Sequence, residues 1–158
     1  MIGVGRPGAR EPLAEAARRL GARRVLVVSG HVGDEARAFD EVSLFGPTDV
    51  IDVTPAGTSR MRWTPEDFGL ERLSAARAAD LEVAGPAESA AAIRDVLGGN
   101  RGPRRDVVVL NAAAALWAAG RADDPAAART VAERAIDSGA AARTLERFAA
   151  LSHAPAAG

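Results

Sequence analysis

The chain has 158 residues, enough for one domain with a sizeable core, and 20 basic residues against 21 acidic ones leave a net charge of −1. That balance provides no basic field for DNA or RNA. Every basic residue is Arg, and Cys is absent, which excludes disulfides, thiolate metal sites, Fe–S clusters, cysteine nucleophiles, Schiff-base chemistry and a P-loop lysine. The longest apolar runs, 107–110 and 112–119, are split by Asn111 and fall far short of a membrane span, and no export signal opens the chain. A cytoplasmic protein with no membrane or nucleic-acid partner is expected.

Residues 11–20 place Leu13, Ala16, Ala17 and Leu20 at helical spacing, with Pro12 near the start and Gly21 past the end. Residues 24–28 form a β-branched run bounded by Gly21 and Ser29-Gly30, the pattern of a strand covered on both faces. Residues 29–39 are polar and read as a loop leaving the carboxyl end of that strand. Residues 41–44, 50–53 and 60–63 are short strand candidates, with a turn signal at Gly46-Pro47-Thr48, and Thr64-Pro65-Glu66-Asp67 opens a helical turn.

Residues 86–97 predict a helix closed by Gly98-Gly99. Residues 106–110 read as a second buried strand running directly into a helix over 111–119. Asp123-Asp124-Pro125 caps a further helix ending near Ser138-Gly139, and a last amphipathic helix carries Leu145, Phe148, Ala149 and Leu151. The expectation is an α/β domain over residues 1–152, a mostly parallel sheet with flanking helices, and a frayed tail over 153–158.

Several patterns invite a chemical reading. Gly3-Val4-Gly5-Arg6-Pro7-Gly8 matches the letters of a dinucleotide fingerprint, but no strand is predicted before it and Pro7 removes an N–H, so a flexible lead-in to the first helix is expected. The Gly98-Gly99-Asn100-Arg101-Gly102-Pro103 run reads as a helix stop and turn. His31 with Asp34 and Glu35 makes a metal site imaginable without the spacing of a known motif, and His153 reads as solvated. No G-x-S-x-G elbow occurs. Asp40-Glu41, at the start of a strand candidate, offers hard oxygen ligands on opposite faces, suited to Mg²⁺ bridging phosphate oxygens. A solvated acidic pair is the simpler reading on residue chemistry alone, and Asp34-Glu35 competes with it. Asn111, at the predicted strand-to-helix junction, reads as an N-cap.

Three runs in order change the weighting: 39–48 (Phe-Asp-Glu-Val-Ser-Leu-Phe-Gly-Pro-Thr), 63–70 (Trp-Thr-Pro-Glu-Asp-Phe-Gly-Leu) and 106–116 (Asp-Val-Val-Val-Leu-Asn-Ala-Ala-Ala-Ala-Leu). Together with Gly3-Val4 and residues 11–16, they strongly resemble the C-terminal half of anthranilate phosphoribosyltransferase. The resemblance implies the C-terminal part of the nucleoside phosphorylase/phosphoribosyltransferase α/β domain. It also implies transfer of phosphoribosyl from phosphoribosyl pyrophosphate to anthranilate in tryptophan biosynthesis, with Mg²⁺ as cofactor. Asp40 and Glu41 then stand where the family has its magnesium pair, and the resemblance selects them over Asp34-Glu35. A related nucleoside phosphorylase shares the fold, but the 66–70 and 111–116 runs favour the first family.

The departures are specific. Ser29 stands where the family has histidine, Ala38-Phe39 where Gly-Leu is usual, Ser89 follows Glu88 where Asn is frequent, and the 29–39 loop is longer. The family's G-T-G-G-D phosphate loop, K-H-G-N segment and anthranilate-carboxylate arginine belong to its N-terminal half. The alternative expectation is therefore a non-catalytic truncated fragment, or a half that needs a separate partner to supply the pyrophosphate-binding part.

Overall fold

The computed structural model describes residues 1–153, with residues 34–37 described by their backbone alone. Strand β1 (Ile2–Gly3) runs parallel to β2 (Val25–Val32), pairing Ile2 with Val27 and Gly3 with Val28. Helix α1 (Arg10–Arg19) makes the crossover that two parallel strands require, giving a βαβ unit. Gly3 is therefore part of the sheet and not a flexible lead-in. The Val4 N–H donates to the Val28 carbonyl at 2.8 Å, and the Ser29 hydroxyl donates to the Val4 carbonyl at 2.6 Å.

Beyond β2 the directions alternate. Strand β3 (Asp34–Phe39) folds back on β2 through Gly33, whose φ of +68° suits glycine. Strand β4 (Thr48–Thr54) is antiparallel to β2, and β5 (Gly57–Trp63) is antiparallel to β4. The order is β1-β2-β4-β5, with β3 also on β2. Among the described residues only β1 and β2 run parallel, against the expectation of a mostly parallel sheet. The expected loop at 29–39 is instead the end of β2 and the whole of β3, while 41–44 is irregular.

The missing parallel strand has a physical reason. Residues 106–110 lie inside helix α3 (Pro103–Ala118), because a short apolar run fits a buried helix as well as a buried strand. Pro103 in the first turn is a helix-start signal, and the alanines after Asn111 extend the helix. Helices α2 (Pro86–Leu97), α4 (Pro125–Asp137) and α5 (Ala140–Ser152) fall where the sequence places them. Asp124 caps α4 by accepting the Ala127 N–H at 2.7 Å. Of the expected tail, His153 is exposed and 154–158 lie outside the described residues.

The fold is three layers, an α/β arrangement with helices flanking a sheet. On one face Ala14 of α1 meets Val27, Ile51 and Val53. On the other, Leu26, Val28 and Val50 pack against Leu110, Ala113 and Ala114 of α3 and Ala128 of α4. Adjacent residues of β2 thus serve opposite faces, as the period of two requires. The 63–70 run closes one end of this core. Trp63 meets Phe68 and Trp117 edge-on at 5.3 and 5.5 Å. A Thr64–Asp67 capping box starts a 3-10 helix, and Arg129 donates to the Gly69 carbonyl at 2.5 Å. Among the described residues, no helix is long and apolar enough to cross a membrane.

Candidate metal centre

Between β3 and β4, residues 40–47 cross the carboxyl ends of the parallel pair β1 and β2, where α/β sheets collect ligands. The crossing is close because three glycines allow it. A Cβ on Gly3 would overlap the Asp40 carbonyl, one on Gly30 would overlap that of Glu41, and one on Gly46 would lie 2.7 Å from the His31 carbonyl oxygen. The Ser43 hydroxyl donates to the His31 carbonyl at 2.6 Å and accepts the Phe45 N–H at 2.9 Å. The Thr48 hydroxyl accepts the Ser43 N–H at 2.9 Å. From the helical layer, the Asn111 Oδ1 accepts the Val42 N–H at 2.8 Å, while its Nδ2 donates to the Val42 carbonyl at 3.1 Å and to the Val107 carbonyl at 3.0 Å. Asn111 sits in the middle of α3 and is not an N-cap.

Asp40 and Glu41 stand exposed on this fixed backbone, in an irregular segment and not on opposite faces of a strand. Desolvation first, and the neighbouring Asp40 charge second, push the Glu41 carboxyl above its ordinary value. Asp49, Asp52 and Glu11 each meet an arginine, but among the described residues no arginine pairs with Asp40 or Glu41. Two adjacent carboxylates without a cationic partner are a hard oxygen donor set that fits a divalent cation. Among the described residues no third His, Cys, Asp or Glu joins a cluster with them. The set therefore suits an ion that keeps waters or takes substrate oxygens, which is the habit of Mg²⁺. Glu41 also borders a cleft of about 450 Å³ between α2 and α3, whose walls include Val83, Ile93 and Val108 and whose rim carries Arg104.

The competing candidates separate from this place. Asp34 and Glu35 lie on β3, and their side chains are outside the described residues. His31 is buried and its Nε2 lies 3.1 Å from Asp49 Oδ2, which Arg10 also holds at 2.9 Å. The 98–103 run ends α2 and starts α3, with Gly99 and Gly102 at φ +94° and +136°. Ser29, in the family's histidine position, is fully buried and spent on the Val4 carbonyl. Sequence reasoning missed the roles of Gly3, Gly30 and Asn111. Glycines at strand ends and a single polar residue in the apolar 107–119 run were the available signals.

Comparison with known proteins agrees with this architecture. Residues 1–142 match the model of the "Glycosyl transferase family, a/b domain". The chain is 49% identical over 130 residues to anthranilate phosphoribosyltransferase of Acidithiobacillus ferrooxidans, covering 82% of this chain and 36% of that protein. The crystal structure of the Thermus thermophilus enzyme superposes with a TM-score of 0.77 at 38% identity, covering 96% of this chain and 42% of that one. The Saccharomyces cerevisiae enzyme in complex with PRPP and Mg superposes with a TM-score of 0.78 at 28% identity, covering 92% and 40%. The chain thus spans about two-fifths of the length of these relatives. It belongs to the glycosyl transferase family through that family's α/β domain.

Proposed function

We propose that this chain supplies the magnesium-holding element for transfer of a phosphoribosyl group from phosphoribosyl pyrophosphate to anthranilate. In that reaction the bond from the ribose anomeric carbon to pyrophosphate breaks, the anthranilate nitrogen bonds to that carbon and loses a proton, and pyrophosphate leaves. A bound Mg²⁺ neutralises charge accumulating on the departing pyrophosphate. The chain's own part is to hold two carboxylates, Asp40 and Glu41, at a fixed position at the carboxyl ends of β1 and β2. The carrying observation is that this pair has no arginine partner among the described residues while its backbone is pinned by Gly3, Gly30 and Asn111. The relatives' substrates, named in the yeast complex and in the enzyme's name, support the choice of reaction.

The test is titration of the full chain with Mn²⁺, a paramagnetic substitute for Mg²⁺, with and without phosphoribosyl pyrophosphate. Binding strengthened by the sugar phosphate and lost in Asp40→Asn and Glu41→Gln supports the assignment. Equal binding by the parent chain and both variants overturns it. Anthranilate fluorescence separates two forms of the reading. Its decay at a complete enzyme's rate makes the chain a catalyst in itself. Metal binding without decay makes it a part that acts together with a phosphate-binding region outside these residues.

A further inference from the structure

We infer that Asn111 is a positioning residue for the Asp40–Glu41 pair, acting through the Val42 backbone. This rests on the magnesium reading above and adds a residue from a distant helix to that site. The geometry is that of a strand partner: the one side-chain amide satisfies both the N–H and the C=O of Val42, at 2.8 and 3.1 Å. Its O/N orientation is set by the same network, because the Val42 N–H requires an acceptor and the Val42 carbonyl a donor. The second Nδ2 hydrogen goes to the Val107 carbonyl one turn back, so the amide cannot swing away without losing three hydrogen bonds.

Packing alone gives no reason for an asparagine here. It is the single polar residue in the run 107–119, where alanines at 112–115 already let α3 lie close to the sheet. Asn is a poorer helix former than the alanines beside it. The polar group instead replaces the ladder bonds that residues 41–44 lack, since they pair with no strand. Val42 itself is buried, so without Asn111 its N–H and C=O would be left unpaired away from water. Residue 41 is one peptide away. With Gly3 and Gly30 admitting the backbone on the sheet side, Asn111 closes the clamp from the helical side.

The test compares Mn²⁺ affinity, followed by electron paramagnetic resonance, in the full chain and in Asn111→Ala, Asn111→Asp and Val109→Ala. Val109 is a buried α3 residue in a different cluster, so its variant reports general destabilisation. Both Asn111 variants are expected to bind about 10- to 100-fold more weakly, the range for removing a group that orients a metal ligand. Val109→Ala is expected to bind as the parent does. Asn111 variants within about twofold of Val109→Ala overturn the role. If Asp40→Asn and Glu41→Gln abolish binding while the Asn111 variants do not, positioning fails and the magnesium reading stands. If the parent binds no Mn²⁺, or the carboxylate variants bind it equally, both fall. Amide exchange of Val42 in the parent needs no variant: protection supports the clamp, and exchange at the rate of a free loop overturns it.

Discussion

The Asp40 carbonyl lies directly against the α-carbon of Gly3, leaving no room for a side chain there. A similar approach joins Glu41 to Gly30, where a Cβ would also lie 3.0 Å from the Ser43 Cβ. The position of the acidic pair is thus written partly in two residues that have no side chain. Gly3→Ala must push the 40–41 backbone off the sheet, at about 1–3 kcal/mol as for other overpacking substitutions. Gly5→Ala, with nothing within 4 Å of its Cβ, is the matched control. Urea denaturation is expected to rank Gly3→Ala well below Gly5→Ala, with weakened Mn²⁺ binding only in the former. Equal stabilities would show that the backbone yields freely.

On the proposed magnesium reading, Glu41 sets the pH dependence of the site. Partial desolvation of the exposed side chain against the surrounding protein, with the Asp40 charge second, raises its carboxyl pKa, so the proton would compete with a bound metal at a higher pH than at an ordinary glutamate. Metal affinity is expected to rise with pH through a range above about 4.3, the ordinary glutamate value, and then level off. Glu41→Asp retains a titrating carboxylate and with it a pH dependence, whereas Glu41→Gln removes both metal and titration. The sign for folding is opposite. A carboxyl with a raised folded pKa favours the folded state at low pH and loses that contribution as pH rises through the folded value. Thermal melts at pH 7 are therefore expected to place Glu41→Gln at or above the parent, and a clear fall would contradict the assigned direction.

How much the sequence revealed depends on the range of the forces involved. Helices α2 and α4 were legible to within a residue because Pro86, Gly98, Asp124 and Pro125 act on their own neighbours. Strands β4 and β5 contain the runs predicted for them, since branched residues and Pro-Gly punctuation are equally local. The 106–110 run failed because four apolar residues in a row carry no periodicity. Its conformation is decided by the helix-forming alanines beyond Asn111 and by the sheet that covers it. The pair Asp40-Glu41 came from motif order, whereas its supports were not legible. Asn111 lies 69 residues from Val42 in the chain, and a glycine's letter does not say what passes over it.

A second long-range relationship concerns stability alone. Asp52 is buried on β4 and is held by Arg24, with Nη2 at 2.8 Å and Nε at 3.2 Å, while the guanidinium lies 3.9 Å over the Trp117 ring. The two partners are not equivalent. Removing Arg24 strands a buried carboxylate, whereas neutralising Asp52 leaves an arginine that still stacks on Trp117 and donates to its carbonyl at 3.3 Å. Arg24→Ala is expected to lose about 2–3 kcal/mol, below the 3–5 of a fully enclosed pair because Arg24 is partly solvated. Asp52→Asn is expected to lose less. Denaturant midpoints decide the order, and an equal or greater loss in Asp52→Asn would refute the asymmetry.

Acid should act on the opposite face of the sheet, at Asp49 of β4. Burial raises the Asp49 carboxyl, but hydrogen bonds from His31 and Arg10 outweigh it, so the group lies below its ordinary value. A depressed folded pKa contributes stability that is fully present above the unfolded value of about 3.9 and is lost as pH falls through the folded value. The side chain is about one-third exposed (32%), so solvent screening keeps the contribution modest. Asp49→Asn keeps an oxygen to face His31 and Arg10 but cannot titrate. The parent is expected to be the more stable at neutral pH, and the difference should shrink as melts are repeated from about pH 5 towards pH 3. Stability curves that stay parallel over that interval would remove Asp49 as the source, leaving the acid response to carboxylates elsewhere in the fold.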